Sequence, residues 1–322
     1  MSQPREAQQA DAPGGVEFRG LVASGISRNF GPVRAIEYMD FSAPAGQVTA
    51  LIGPNGAGKT TLLLILASLL APDEGSVRVM GVDPVANPSA ARLQIGWMPD
   101  TLGVWESLTA REILLVMGRL YRIPKSRLAA RVDELLALVN LVELADQPAR
   151  VLSRGQQQRL SLARALIHDP AVLLLDEPAS GLDPGSRIAL RRILRELAAA
   201  GKAVVVSSHV LAELDEIADR AVFVNAGRTV LAQTVDQASA QGRRYAISAL
   251  DPAQLAGQLT RLGLRFEAGS GRRETVSLML GAEPDAARLL HDLVLAGVAV
   301  TAFAPAGGAL EETYMSMDAE QR

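Results

Sequence analysis

Cysteine is absent from the 322-residue sequence, and so is any apolar run long enough to span a bilayer. Without cysteine the chain can form neither a disulfide nor a thiolate metal site, which fits a reducing compartment. A membrane-spanning helix needs about 20 consecutive apolar residues. The longest apolar stretches, residues 62–71 and 294–304, are only about half that length. We therefore expect the chain not to cross a membrane by itself.

A strong net charge is also lacking. The chain has 32 Lys and Arg residues against 35 Asp and Glu, which gives a formal net charge of −3 and a pI of about 5.8. Proteins that bind nucleic acid usually carry a basic surface that neutralises phosphates. The charge balance therefore argues against nucleic acid as a partner, while 48% hydrophobic residues indicate a globular chain of one or two domains.

One short motif stands out against this background. It reads Gly53-Pro54-Asn55-Gly56-Ala57-Gly58-Lys59-Thr60 and matches the pattern G-x-x-x-x-G-K-[ST]. Residues 47–52 are β-branched and aliphatic, which predicts a strand, and residues 61–70 are apolar, which predicts a buried helix. The alternative is a glycine-rich turn that precedes a helix by chance. Such a turn would not account for a match to the whole motif between a predicted strand and a predicted helix.

The residue types in this loop suit the concentrated negative charge of a triphosphate. Glycines at positions 53, 56 and 58 let the backbone bend and point successive N–H groups inward, at a helix N-terminus that favours anions. Lys59 is predicted to contact the β and γ phosphates, and the Thr60 hydroxyl to ligate Mg²⁺. The loop, extended to Thr61, therefore predicts binding of ATP or GTP with Mg²⁺.

A second candidate element is an aliphatic strand that ends on two carboxylates. Residues 171–175 are apolar throughout and are followed by Asp176 and Glu177. Asp176 at the end of a buried strand is predicted to hold Mg²⁺, either as a direct ligand or through a water bound to the ion. Glu177 is predicted to polarise the water that attacks the γ-phosphate. The alternative is an exposed strand end that happens to be acidic, which is common in isolation.

Between these two elements lies the run Leu152-Ser153-Arg154-Gly155-Gln156, followed by Gln157-Gln158-Arg159 and an apolar helical stretch. Here the chain resembles the ATP-binding subunit of ABC transporters, whose signature reads LSGGQ followed by a basic, glutamine-rich segment. The order of motifs is also that of the family: phosphate loop, helical insertion, signature, Asp-Glu strand, Ser180-Gly181-Leu182-Asp183, and finally a histidine. The resemblance covers residues 22–232.

The resemblance implies an α/β fold and a role for each motif. The family's fold is a P-loop NTPase cassette, in which a RecA-like core carries an antiparallel β subdomain and a helical subdomain, here expected at residues 100–160. The run from Ser180 to Asp183 looks like the D-loop. His209, which follows the apolar residues 203–207, looks like the switch histidine that senses the γ-phosphate. Glu177, His209 and Lys59 are thus the expected catalytic residues.

The family also implies a dimer and a membrane partner. Two cassettes pair head to tail around two ATP molecules, so Ser153, Gly155 and Gln156 are expected to contact the ATP bound to a second copy of the chain. A membrane-embedded permease is the implied partner, and the cytoplasmic face of the cell membrane is the implied location. ATP and Mg²⁺ are the implied cofactors.

Three positions show how far the resemblance holds. The family stacks adenine on an aromatic residue ahead of the phosphate loop, and Phe30 fits that place; the alternative is that Phe30 is ordinary strand core. A glutamine near Mg²⁺ normally follows a strand and a proline, whereas here Asp100, which is shorter and charged, follows Pro99. Asp100 is still expected at the metal site, where it can accept a hydrogen bond from a metal-bound water. Arg154 replaces a glycine of the signature, while Ser153 and Gly155 are retained.

The composition changes after Val230. Residues 233–242 are predicted to be a linker and residues 243–322 a C-terminal α/β domain. Its expected order is that of a ferredoxin-like unit: strand 245–249, helix 252–262, strands 264–267 and 274–280, helix 283–296 and strand 298–303. A last amphipathic piece covers residues 309–317. Residues 1–20 are polar, lack the hydrophobic core of a signal peptide, and are predicted to be disordered.

The sequence therefore predicts the ATP-hydrolysing subunit of an ABC transporter, working as a homodimer on separate membrane subunits. The short α/β appendage and the ending Leu310-Glu311-Glu312-Thr313-Tyr314 resemble the ABC-2 type export subfamily, which implies export. Two other functions stay open: a soluble ABC ATPase that acts on ribosomes or DNA, and a regulatory ATPase whose tail binds a protein. The membrane subunit chooses the substrate in this family, so the sequence does not report it.

Overall fold

The structure is a computed structural model that describes residues 19–101, 103, 105–240, 242–268, 275–281 and 283–320. The predicted disordered segment at residues 1–20 lies outside this part of the chain except for its last two residues, and Gly20 already begins the first strand. No helix in the described residues is both long and apolar enough to cross a membrane.

The first and larger sheet has nine strands, which lie between residues 20 and 234 in the sequence. It is mixed, with both parallel and antiparallel pairs. Its strands, in chain order, are β1 (Gly20–Phe30), β2 (Val33–Pro44), β3 (Val48–Ile52), β4 (Glu74–Val79), β5 (Ile95–Met98), β6 (Val172–Asp176), β7 (Ala203–Ser207), β8 (Arg220–Asn225) and β9 (Arg228–Thr234). They lie side by side in the order β4-β1-β2-β9-β8-β3-β7-β6-β5.

This sheet has a parallel part and an antiparallel part. β8, β3, β7, β6 and β5 pair in parallel, whereas β1 pairs antiparallel with β2 and β4. β3, β6 and β7 are buried along their whole length because packed side chains cover both faces of the sheet. Their continuous apolar sequences are typical of such strands, and the predicted strands in these places are confirmed.

Eight helices accompany this sheet in the described residues. They are α1 (Lys59–Leu66), α2 (Pro88–Gln94), α3 (Ala110–Leu120), α4 (Lys125–Leu138), α5 (Arg154–Leu166), α6 (Pro184–Ala199), α7 (Leu211–Asp215) and α8 (Val235–Ala240). α3 and α4 fall in the predicted helical region, and Thr109 and Glu112 cap α3 reciprocally as their spacing predicts. α1 ends earlier than predicted because Ser68 adopts a left-handed conformation, with φ 60°.

A second, four-stranded sheet follows, here called the C-terminal sheet. Its elements are β10 (Arg243–Ala249), α9 (Pro252–Arg261), β11 (Glu267–Ala268), β12 (Val276–Leu280), α10 (Glu283–Leu295) and β13 (Val300–Pro305). Every pairing in it is antiparallel, and the chain order is that of a ferredoxin-like unit. The predicted strand at 264–267 is wrong in extent, because Leu264 and Phe266 pack on the core ahead of the short pairing at Glu267.

The predicted linker at residues 233–242 is wrong. Gln233 and Thr234 complete β9, and α8 follows directly. The side chains of Thr234 and Gln237 each accept a hydrogen bond from the other's backbone N–H, which is the reciprocal cap of a helix start. Ala238 is buried in the core beneath. Residues 233–242 therefore contain the signal for a helix start, although their polar composition is typical of a linker.

The last helix, α11 (Ala309–Glu320), packs against the first sheet's helices. Ala309 and Leu310 belong to the same core cluster as the parallel strands, and Tyr314 and Met317 pack on that cluster. The chain therefore returns, after the C-terminal sheet, to the part of the molecule that holds the phosphate-loop motif.

Candidate ATP-binding site

The phosphate-loop motif forms a tight turn between β3 and α1. Gly58 has φ 96°, which favours glycine, and a Cβ there would lie 2.7 Å from the carbonyl oxygen of Ala35. A Cβ on Gly53 would lie 2.2 Å from the carbonyl oxygen of Val224. Close approach of the neighbouring backbone therefore requires glycine at both positions. The turn and its first helical residues contain the other predicted members, Pro54, Asn55, Gly56, Ala57, Thr60 and Thr61.

Lys59, the first residue of α1, reaches back across this turn. Its Nζ donates hydrogen bonds to the carbonyl oxygens of Gly53 at 2.7 Å and Pro54 at 3.0 Å. Burial lowers the pKa of the Lys59 ammonium, and the carboxylates of Glu177 and Asp176 act in the opposite direction. An ammonium held over the loop is a geometry that suits binding of phosphate oxygens.

Asp176 lies at the carboxyl end of β6 and is 6% exposed. The register of the parallel strands places it opposite Ser207, whose Oγ donates to Asp176 Oδ1 at 2.5 Å. Thr60 Oγ1 donates to Asp176 Oδ2 at 3.4 Å. The structure thus brings together the two residues predicted to hold Mg²⁺, and their hydroxyl and carboxylate oxygens are ligands that this cation prefers.

Glu177 follows in a left-handed conformation, with φ 50°, which is uncommon for a residue other than glycine. The backbone of Ser207 holds it there by accepting a hydrogen bond from the Glu177 N–H at 3.2 Å. Glu177 Oε2 lies 2.9 Å from His209 Nδ1. Burial raises the pKa of the Glu177 carboxyl, and the hydrogen bond with His209 opposes that rise. Such a partly buried carboxylate beside an imidazole can accept a proton from water.

Gln158 contacts this site and was missed by the sequence analysis. Its side chain is 2% exposed, and Nε2 donates to the carbonyl oxygen of Glu177 at 3.1 Å. A helix repeats its face every three to four residues, and Gln158 shares a face with the buried Leu162 and Ala165. That spacing distinguishes Gln158 from Gln156 and could have identified it.

The signature begins α5. Ser153 caps the helix, with Gln156 bonded reciprocally to its backbone. Arg154 donates from its guanidinium to Ser180 Oγ at 3.3 Å, and its side chain lies so close to Gly181 that a Cβ there would be 2.9 Å from Arg154 Cδ. Arg154, at the position where the signature has glycine, is therefore accommodated by contacts with Ser180 and Gly181, in the segment predicted to be the D-loop. A Cβ on Gly155 would lie 3.4 Å from Leu182 Cδ2 in the same segment.

Phe30 and Asp100 are the two remaining residues predicted for the site. Phe30 ends β1, is 47% exposed and has the guanidinium carbon of Arg28 at 5.1 Å from its ring centroid. The alternative interpretation of Phe30 as strand core is wrong, because core side chains are buried. Asp100 is exposed and follows β5, the parallel neighbour of β6, so it lies at the same edge of the sheet as Asp176.

Comparison with known proteins assigns this arrangement to a family. The family model described as ABC transporter matches residues 36–180. A daunorubicin resistance ATP-binding protein, DrrA3, of Streptomyces coeruleorubidus is 37% identical over 76% of this chain and 78% of its own length. The chain belongs to the ATP-binding subunits of ABC transporters. The predicted resemblance and the predicted cassette fold are confirmed.

Two further relatives extend this assignment. The daunorubicin/doxorubicin resistance ATP-binding protein DrrA of Streptomyces peucetius is 33% identical over 93% of this chain and 92% of its own length. A dimeric ATP-binding cassette solved in a post-hydrolysis state with ADP and phosphate superposes with a TM-score of 0.61. It is 25% identical and covers 66% of this chain and 98% of its own. The subunit is therefore an ATPase, and ATP is its nucleotide.

Proposed function

We propose that this ATPase powers export through a separate membrane permease, as a head-to-tail homodimer at the cytoplasmic face of the membrane. Subunits of this family work with permeases and form dimers, and the solved cassette with ADP and phosphate is a dimer. Two similar subunits carry names that refer to drug resistance, and resistance by transport requires movement out of the cell. Export is thus the direction that the relatives favour.

The contact between Glu177 and His209 carries the catalytic part of the proposal. Glu177 accepts a proton from a water molecule while the oxygen of that water bonds to the γ-phosphorus. The bond between the γ-phosphorus and the oxygen that bridges to the β-phosphate breaks, and ADP leaves. His209, 2.9 Å from the carboxylate, orients Glu177 and contacts the γ-phosphate. Lys59 neutralises charge on the β and γ phosphates. This hydrolysis needs little covalent chemistry and depends mainly on positioning and charge stabilisation.

Thr60 and Asp176 fit a Mg²⁺ ion by their chemistry, and Asp100 at the same sheet edge would accept a hydrogen bond from a water bound to that ion. When bound, Mg²⁺ would neutralise charge on the β and γ phosphates. Ser207 keeps the Asp176 carboxylate oriented for this role through its 2.5 Å hydrogen bond. Phe30 offers an exposed ring face on which adenine stacks.

Ser153, Gly155 and Gln156 complete the site of the facing chain in this proposal. ATP then closes the dimer, and loss of phosphate opens it, which is a ligand-driven change between two states that a permease can use. The acidic overall charge and the single phosphate loop give no support to action on nucleic acid.

Capture of the Glu177→Gln variant from detergent-solubilised membranes of its source, with ATP and Mg²⁺, tests the proposal. The variant should retain ATP and hydrolyse it slowly, so closed complexes accumulate. We expect mass spectrometry to identify a co-purifying polytopic membrane protein. Capture of ribosomal or soluble partners alone would contradict the transport function while leaving the ATPase intact. Lys59→Ala, which is expected to bind ATP more weakly, is the matched control.

A further inference from the structure

The end of α7 meets the start of α11. α7 begins two residues after His209 and ends at Asp215. Asp215 Oδ1 accepts a hydrogen bond from the backbone N–H of Leu310 at 2.9 Å. The first N–H groups of a helix have no partner within it, so a carboxylate six residues after His209 caps a helix that begins at Ala309.

The approach between these elements is very close. A Cβ on Gly308 would lie 1.7 Å from Asp215 Oδ2, so glycine alone permits this contact. Burial raises the pKa of the Asp215 carboxyl, while backbone hydrogen bonds from Leu310 and Glu311 and the charge of Arg243 oppose the rise. The carboxylate is thus enclosed by the chain segment that precedes and begins α11.

Apolar and polar contacts hold α11 in place beyond this cap. Leu310 is 0% exposed and shares a core cluster with Leu214 and Ile217, which lie in and just after α7. Gln233 Nε2 at the end of β9 donates to Thr313 Oγ1 at 3.2 Å. α11 therefore cannot move without disturbing α7.

α7 is held on its other side by α6. Arg187 pairs with Glu213 at 2.8 Å, and Arg191 pairs with Glu216. His209 itself is 66% exposed and bonded to Glu177. Because so little packing holds the imidazole, its position depends on the chain to either side, which is β7 and α7.

We infer that Asp215 is a positioning residue for ATP hydrolysis: by capping α11 it fixes α7, and α7 in turn holds His209 against Glu177. The inference rests on the role proposed above for His209. It makes the last helix of the chain part of the support of the ATP site, although α11 lies about a hundred residues from His209 in sequence.

Two substitutions break the contact from opposite sides. Asp215→Ala removes the oxygen that accepts the hydrogen bond from Leu310. Gly308→Ala forces the Asp215 carboxylate away without substituting any residue of the cassette itself. We expect each to lower kcat at saturating ATP by about two- to thirtyfold, with nucleotide affinity unchanged. Gly257→Ala is the matched control, because a Cβ there meets open space. Asp215→Asn retains the accepting oxygen and should lie closer to the wild type.

A double-mutant cycle separates positioning from general loss of stability. In a His209→Ala background, Asp215→Ala should cause no further loss of hydrolysis, since both act through the same imidazole. An additive loss, or wild-type kcat in both contact variants, would overturn the inference. If Asp215→Ala does not fold, Gly308→Ala supplies the same cycle. Unchanged hydrolysis in His209→Ala alone would remove the proposed role of His209 and this inference with it.

Discussion

The central strands of the first sheet are parallel and buried along their whole length, whereas the strands of the C-terminal sheet are antiparallel and each includes exposed positions. The parallel strands end together at one edge, where β6 supplies Asp176 and β7 supplies Ser207. In the C-terminal sheet the charged pair Arg244 and Glu267 lies on the surface at 2.6 Å. The strands that are buried on both faces are therefore the ones whose ends supply side chains to the candidate ATP site.

Phe30 is an exception in the first sheet, because it is exposed while Phe41 and Phe223 of the same sheet are buried. In the C-terminal sheet, Phe303 lies against Tyr245 at a centroid distance of 5.4 Å. α11 crosses the division, because it follows the C-terminal sheet in sequence but packs in the core of the first. The point in the sequence that divides the two regions therefore differs from the division between their two hydrophobic cores. Substitutions in each region test this difference.

The largest expected effect is on the chemistry of the first region. Glu177→Gln removes the proton acceptor, so ATP hydrolysis should fall by about 10²–10⁴-fold while ATP binding persists. Phosphate release by the purified variant measures the first effect, and calorimetry measures the second. Glu283→Gln, an exposed glutamate of α10, is the control and should hydrolyse ATP at the wild-type rate. Near-normal turnover by Glu177→Gln would contradict the assignment.

The next effect is on stability, at the helix that crosses the division. Leu310→Ala removes a fully buried side chain and should lower the free energy of unfolding by about 2–5 kcal/mol. Because Leu310 lies in the core of the first sheet, the denaturant midpoint for loss of ATP binding should fall as well.

Leu259→Ala is the matched control for that prediction. Leu259 is equally buried but belongs to the core of the C-terminal sheet. We expect this variant to destabilise the C-terminal sheet, measured by amide exchange, and to leave the midpoint for ATP binding unchanged. Equal shifts in both variants would show that the two cores unfold as one unit.

A smaller effect is expected at the exposed aromatic residue. Phe30→Ala should weaken ATP binding by about 1–3 kcal/mol, because adenine loses its stacking partner. Phe30→Tyr keeps the ring face and should bind ATP as the wild type does. The measurement is calorimetric, with the free energy of unfolding determined alongside. Unchanged affinity in Phe30→Ala would mean that adenine binds elsewhere.

The sequence predicted the main strands and the phosphate loop but missed several features of the first region. Long apolar runs predicted the buried strands. The motif at residues 53–60 predicted the phosphate loop, because a triphosphate site constrains many neighbouring residues at once. The helix at Val235–Ala240 was mistaken for a linker, since its signal is a single Thr-Gln cap in polar sequence. The docking of α11 was not foreseen either, because an amphipathic helix shows which face is buried and not what buries it. The role of Gln158 required the helical period to be followed beyond the signature.

The smallest expected effect is the pH dependence of stability at Glu177. Burial raises the pKa of this carboxyl above its value of 4.5 in water, so the folded state binds the proton more tightly than the unfolded state does. The stabilisation that results is complete below the unfolded pKa and is lost as the pH rises through the folded pKa. Above the folded pKa, the ionised Glu177 therefore destabilises the fold. Glu177→Gln should then unfold at a higher denaturant concentration than the wild type at pH 7.5, and the difference should narrow towards pH 5. A difference that stays constant over this range would mean that other contacts of Glu177 determine the stability of this edge of the sheet.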